Sequence, residues 1–283
     1  MAASMLGLRL TAIILLIQPV SVWYLRPVLM SLAILGLLVP AVLRTPAVWG
    51  GIALLIVAWV TREWPTGDNH HFLFAYWTLA IFLALCTRRP ERALARSARW
   101  LVVAVFLWAT LWKAVLSPDY MDGRFYRVRL LTDHRFSAVV QLVGGLSAEQ
   151  VESSRIYLEP PPFGVPGSAP PELVEPRAVV HLATFLTWAT LLLEGLVALA
   201  FLVPWGRWTL SVRHGVLLGF CGAAYAIAPV AGFGWLLCVM GVTQVPVDRR
   251  GLRAAYVAVF LLLRFYVDIP WGRLLLVIGA RIS

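Results

Sequence analysis

Apolar residues fall along the chain in long runs separated by short polar connections. Eight runs stand out: Leu6–Trp23, Val28–Leu43, Val48–Val60, Phe72–Cys86, Trp100–Leu116, Val179–Pro204, Gly215–Met240 and Ala254–Ala280. Several approach the roughly 20 residues a helix needs to span a bilayer; Val48–Val60 is short for a span. The pattern predicts an all-α, polytopic transmembrane helical bundle with about eight hydrophobic segments. Pro229, Gly232 and Gly234 interrupt the seventh run and Asp268-Ile-Pro270 the eighth. Some segments are therefore expected to be broken or re-entrant, which is tolerated at membrane depth only where the backbone is buried in protein or lines a cavity. Residues 1–283 read as a single integral membrane domain. Its one sizeable polar stretch, 117–177, is expected to be an extra-membrane loop or cap, Pro-rich at 159–176, with an amphipathic helix over Phe125–Leu146 at the membrane surface.

Composition agrees, with 60% hydrophobic and 13% charged residues, far from the share of a soluble domain. The net charge of +10 does not point to nucleic acid, because the arginines sit mostly in short loops between runs and read as topology signals. The loop from Arg88 to Arg99 carries five arginines and one glutamate, so it is expected in the cytoplasm, as is the N-terminus. Phe72 then opens its segment, and Lys113 closes its own, at the outer face. With no cleavage site after a basic region, Leu6–Trp23 is expected to be a retained first span. The excess of arginine over lysine suits a GC-rich genome, and the expected location is a bacterial inner membrane. Cys86, Cys221 and Cys238 lie in apolar runs without metal-ligand spacing and read as small core residues.

Few ionisable groups lie in or at the mouths of the runs. Lys113 is the sole lysine among 24 basic residues. An ionisable group in a membrane run is a functional-site hypothesis, and a desolvated lysine has a lowered pKa that lets it act as a base. Lying about one helical turn from Pro118, it is equally placed to snorkel to the interface. His70 and His71 open the fourth run and His181 the sixth, all on the predicted outer face with Lys113. Adjacent His70 and His71 point about 100° apart on a helix, so no metal site is expected there. Glu194 is the deepest carboxylate. It lies about 20 Å along its helix from His181, so a direct pair with Lys113 is not expected; a protonated carboxyl or a partner near Pro229 is the alternative. Arg264 and Asp268, at i, i+4, form a candidate pair. Trp108 and Trp112 share a face beside Lys113. Phosphate-binding loops, GxSxG and HExxH are absent.

Three stretches together resemble a known family: Asn69-His70-His71-Phe72-Leu73, then Lys113 followed by Asp119-Tyr-Met-Asp122-Gly123, then Leu191-Leu-Leu-Glu194. Their order resembles the membrane domain of vitamin K-dependent gamma-carboxylase and the bacterial HTTM group that shares it, over roughly residues 1–280. The spacing from the lysine to the glycine is two residues longer than in the carboxylase. The resemblance implies that Lys113 is the base that deprotonates a lipid-soluble quinol and that His70 assists, with oxygen as co-reactant. His71, His181, Glu194, Asp119 and Asp122 are the supporting residues. Peptide carboxylation is not expected, since the chain ends soon after its last run without the carboxylase's soluble domain. DoxX- and MauE-type membrane proteins, which share the lysine-to-glycine pattern, are a second resemblance.

The reading is therefore a carboxylase-like membrane protein acting on a quinol or similar hydrophobic substrate at the outer face. Its expected partners are the lipid bilayer and a hydrophobic small molecule, with a quinone or quinol as the cofactor to consider and no metal or nucleic acid. Two alternatives remain: a non-catalytic scaffold that binds a protein through 117–177, and a small-solute transporter, which broken helices near Pro229 and Pro270 suit.

Overall fold

The computed structural model describes residues 3–159, 173–203, 207–227 and 230–268. All regular structure among them is helical. Contacts divide the chain into two compact units, one of residues 1–105, 197–222 and 230–264, the other of 106–196, 223–229 and 265–283.

The first unit holds α1 (Ala3–Ile17), α2 (Leu25–Leu38), α3 (Pro46–Arg62), α4 (Asn69–Leu85), most of α5 (Pro90–Leu111), most of α11 (Arg207–Ile227), α12 (Ala231–Thr243) and most of α13 (Arg250–Asp268). Its central element is α12, buried from Gly234 to Thr243 and packed on α1 and α4. Small residues permit this closeness. A Cβ on Gly7 would overlap the Thr243 side chain, and one on Gly241 would overlap the Tyr256 ring. Close approach at glycine is a common device of packed apolar helices. Two buried polar contacts cross between helices: Trp77 Nε1 donates to Thr11 Oγ1 at 3.0 Å, and His214 Nδ1 meets the Tyr256 hydroxyl at 2.7 Å.

The second unit is built on the end of α5 and the start of α10 (Arg177–Leu202). After α5 the chain widens into a π-helical turn over Trp112–Leu116, then forms α6 (Pro118–Met121), α7 (Arg124–Thr132), α8 (Ser137–Leu142) and α9 (Ala148–Leu158). These short helices form a cap with its own core. Leu130, Leu131, Phe136, Val140, Leu146 and Val151 close on Val179, Ala183 and Leu186 of α10. The α10 residues recur at i, i+4 and i+7, one stripe of a helix. Ser147 and Gln150 form a capping box that starts α9.

Several expectations are corrected here. Phe125–Leu146 is not one amphipathic helix. It breaks at Asp133, whose carboxylate accepts from the Arg135 backbone N–H and starts a 3₁₀ turn; such side-chain bonds compete with helix. The arginine loop 88–99 is mostly helical, forming the first turns of α5. In keeping with the interruption expected there, Gly215–Met240 divides between α11 and α12, and Pro229 itself lies outside the described residues. So do the break at Pro270, the tail of the last run and the proline-rich stretch 160–172. Cys221 and Cys238 are buried, but Cys86 is exposed at the end of α4.

Among the described residues, two helices are long and apolar enough to cross a membrane, Pro90–Leu116 with 27 residues and Arg177–Leu202 with 26. Five described apolar helices are shorter: Ser4–Ile17, Leu25–Leu38, Pro46–Arg62, Asn69–Leu85 and Ala231–Thr243. Only 17% and 39% of the apolar windows of the two long helices are buried. Most of each window lies outside the buried interior of the described residues.

Candidate functional site

Thr110 of α5 and Gly195 of α10 approach so closely that a Cβ on Gly195 would lie 3.7 Å from Thr110 Cγ2. Three residues beyond Thr110, Lys113 lies in the π-helical turn. Such turns are frequent at functional sites. One residue before Gly195 is Glu194. Lys113 Nζ donates to Glu194 Oε1 in a direct ion pair, with side-chain exposures of 22% and 10%. This overturns the expectation that the two stay apart. Counting from His181 overstated the depth of Glu194, because the turns of α10 that hold Val179, Ala183 and Leu186 are packed into the cap core.

The pair sits at the end of a polar chain. Thr190, one turn before Glu194, meets the Tyr126 hydroxyl at 2.7 Å, and Tyr120 OH donates to Tyr126 OH at 3.3 Å. Lys113 Nζ lies 5.2 Å from the centre of the buried Tyr120 ring, within cation–π range. Burial pushes the Tyr120 phenol well above its usual pKa, and the neighbouring Tyr126 and Glu194 add to the shift. It therefore stays a hydroxyl donor. Glu194 Oε2 is buried and has no hydrogen-bond partner, an expensive state for a carboxylate oxygen. Trp108 and Trp112 are 63% and 51% exposed.

Asp119 and Asp122 have a different partner. Each carboxylate lies 2.7 Å from the Arg124 guanidinium, and the Arg124 N–H also donates to Asp122 Oδ1. That N–H and the guanidinium hold the Asp122 carboxyl below its ordinary pKa. The trio fixes the turn at Gly123, whose φ of 79° is left-handed. His181 is exposed on α10.

His70 and His71 belong to the other unit. Their ring centroids are 4.2 Å apart, so the rings do not diverge as adjacent helical positions suggested. The Gln18 amide Nε2 lies 3.1 Å from His70 Nε2 and 3.4 Å from His71 Nε2. Behind the rings, His70 Nδ1 is 3.9 Å from Asp68 Oδ2, and His71 Nδ1 is 3.5 Å from Glu63 Oε2. Ser21 Oγ donates to Glu63 Oε1 and accepts from Trp59 Nε1 at 3.2 Å; the Trp59 ring packs on His71.

The sequence reading missed Gln18, Glu63, Tyr120 and Tyr126. Gln18 had a visible signal as a lone amide closing an apolar run before Pro19. Thr190 and Glu194 had the i, i+4 spacing of one helix face. Nothing local marked Tyr120, which is buried by the fold of the cap. Comparison with protein-family models, curated proteins and solved structures returns no match for the chain.

Proposed function

We propose that the chain is a polytopic membrane protein of the carboxylase-like HTTM type that acts on a lipid-soluble quinol, or a similar hydrophobic hydroxyl compound, at Lys113 and Glu194. The bilayer part of this reading is supported by apolar side chains that face outward on most long helices, such as Leu38, Leu54, Leu83, Val115, Leu192 and Phe265. So many exposed large apolar side chains suit a surface that faces lipid. The arginines of 88–99 favour the cytoplasmic side for that end of α5, which sets Lys113 at the outer face in this reading. The N-terminus is then cytoplasmic.

The observation that carries the chemistry is the Lys113–Glu194 pair with one buried carboxylate oxygen left without a donor. A quinol hydroxyl is such a donor. When it enters, its O–H breaks. With the pair charged, the proton passes to Glu194 Oε2. With Lys113 neutral and its proton already on Glu194, Nζ takes it. Both routes end in an ammonium, a protonated carboxyl and a quinolate whose charge the ammonium offsets. Dioxygen then accepts two electrons from the quinolate, together with its remaining hydroxyl proton and the proton returned by the Lys113–Glu194 pair, giving quinone and hydrogen peroxide; alternatively one oxygen atom is retained as an epoxide and the other leaves as water with the same two protons. His70, the assisting group in the resemblance, belongs to the other compact unit, so the reading rests on Lys113 and Glu194 alone.

The test is oxygen uptake by the purified protein with reduced menaquinone, beside the double variant Lys113→Met/Glu194→Gln. Uptake with quinone or epoxide formation, abolished in the variant, is the expected result. No uptake by the native chain, or equal uptake by both, overturns the reading and moves weight to a scaffold that presents the cap to a protein partner.

A further inference from the structure

We propose that His70, His71 and Gln18 form a metal site that takes a divalent first-row transition ion of the zinc class. The inference is independent of the quinol reading, because its residues lie in the unit without Lys113 and its test reads metal rather than turnover.

Three observations carry it. First, the Nε2 atoms of two adjacent histidines converge on a single point, the Gln18 amide nitrogen, at 3.1 and 3.4 Å. As it stands, one NH₂ donates to two ring nitrogens, which makes both Nε2 atoms unprotonated acceptors. That is the form in which imidazole binds a metal. Turning the amide presents Oε1 in place of the nitrogen and supplies a third, neutral ligand. A zinc-class ion then sits between Oε1 and the two Nε2 atoms, where it needs metal–nitrogen distances of about 2.0–2.1 Å.

Second, a carboxylate lies near the other nitrogen of each ring, Asp68 Oδ2 3.9 Å from His70 Nδ1 and Glu63 Oε2 3.5 Å from His71 Nδ1, close enough to become a hydrogen-bond partner with a small shift. Metal-binding histidines ordinarily present the second ring nitrogen to a carboxylate or carbonyl, which fixes the tautomer and strengthens the ligand. Glu63 is itself held by Ser21. Ligand atoms of Asp68, His70 and His71 all lie within 4.8 Å of one another.

Third, the neighbourhood is shaped around the rings. The histidine side chains are only 11% and 13% exposed, whereas Asp68 is 75% exposed and marks the open side. A Cβ on Gly232 would lie 2.7 Å from His70 Nε2 and 2.9 Å from Gln18 Oε1. Only glycine lets α12 pass that close to both. The set supplies two imidazoles and an amide oxygen and leaves a fourth position for water, so the ligand count matches an open rather than a closed zinc site.

The test uses the full chain in detergent, stripped with a chelator and titrated with Zn²⁺ by calorimetry. One equivalent is expected to bind. His70→Ala and His71→Ala are each expected to abolish it, Glu63→Gln to weaken it about 10–100-fold as an outer-shell partner, and His134→Ala, exposed in the cap, to leave it unchanged. Cu²⁺ loaded into the native protein is expected to show electron-spin coupling to two imidazole nitrogens, a readout that does not depend on any variant folding. No stoichiometric Zn²⁺ binding, binding that survives both histidine replacements, or a Cu²⁺ spectrum without two imidazole nitrogens overturns the proposal.

Discussion

Removing one member of the Lys113–Glu194 pair leaves the other charge stranded, and the size of that effect follows from the site. Two unit charges about 4 Å apart at an effective dielectric near 20 interact by about 4 kcal/mol, which sets the order of magnitude of the pairing energy. Glu194 is 10% exposed and its Oε2 already lacks a partner, so a carboxylate without Lys113 has little access to water. Losing one partner of a fully buried pair costs about 3–5 kcal/mol, so Lys113→Met is expected near about 3. Glu194→Gln is expected to cost less, about 2 kcal/mol, since Lys113 is 22% exposed and its flexible stem can carry the ammonium outward. The double variant buries no uncompensated charge and is expected to cost about 2 kcal/mol, for the amide left in an apolar place. The coupling is then about 3 kcal/mol, the same order as the Coulomb figure. Apparent Tm in detergent reads it, at about 2–4 °C per kcal/mol for a chain of this size. Lys113→Met is expected about 6–12 °C below the native protein, with the double variant no lower than that single variant. Lys113→Arg, which keeps the charge, is expected to stay closer to the native value than Lys113→Met. Additivity of the two single variants to within about 0.5 kcal/mol refutes the pairing.

Phe136→Ala removes a buried ring from the cap core and is expected to cost about 3–5 kcal/mol; limited proteolysis should then cut first within 117–159, and unchanged cleavage kinetics refute an independent cap core. Asp133 holds the break before α8 with its pKa lowered, chiefly by the hydrogen bond from the Arg135 side chain. Since its folded pKa lies below the unfolded value, its stabilisation is present above that value of about 3.9 and is lost as pH falls through the folded pKa. The Tm advantage of the native protein over Asp133→Asn is expected to be constant from about pH 6 to 5 and to shrink progressively below about pH 4; an advantage that does not shrink as pH falls below about 4 counts against this role.

The elements that were legible in the chain are those set by local pattern. Apolar runs became helices nearly where they were read: Val48–Val60 lies inside α3 and Phe72–Cys86 almost matches α4. The cap was harder to read, because its core draws on residues as distant as Leu130 and Val179, and no window of sequence contains both. Lys113 and Glu194 were each visible as ionisable groups in apolar surroundings. Their pairing was not, because it depends on how far α10 projects into the cap before α5 meets it at Gly195. The histidine cluster failed for a related reason. The 100° between neighbours describes where side chains leave the backbone, whereas Gln18, which gathers the ring nitrogens, lies 52 residues away from His70.

The use of lysine supports the proposed chemistry from a separate direction. Wherever else this chain needs a cation it uses arginine, 23 times in all. Arginine snorkels, caps and pairs with carboxylates at least as well as lysine, and here it does so: Arg99 donates to the carbonyls of Phe201 and Leu202 at the end of α10, and Arg124 binds two aspartates. Arginine does not give up its proton in a protein, whereas lysine shifts readily when desolvated. A pair that served only to tie α5 to α10 would be met by arginine at position 113, with two parallel hydrogen bonds to Glu194 that also satisfy Oε2. Lysine leaves that oxygen without a donor and keeps a proton that can move. Both properties serve a site that takes a proton from a hydroxyl compound, and neither serves a clamp.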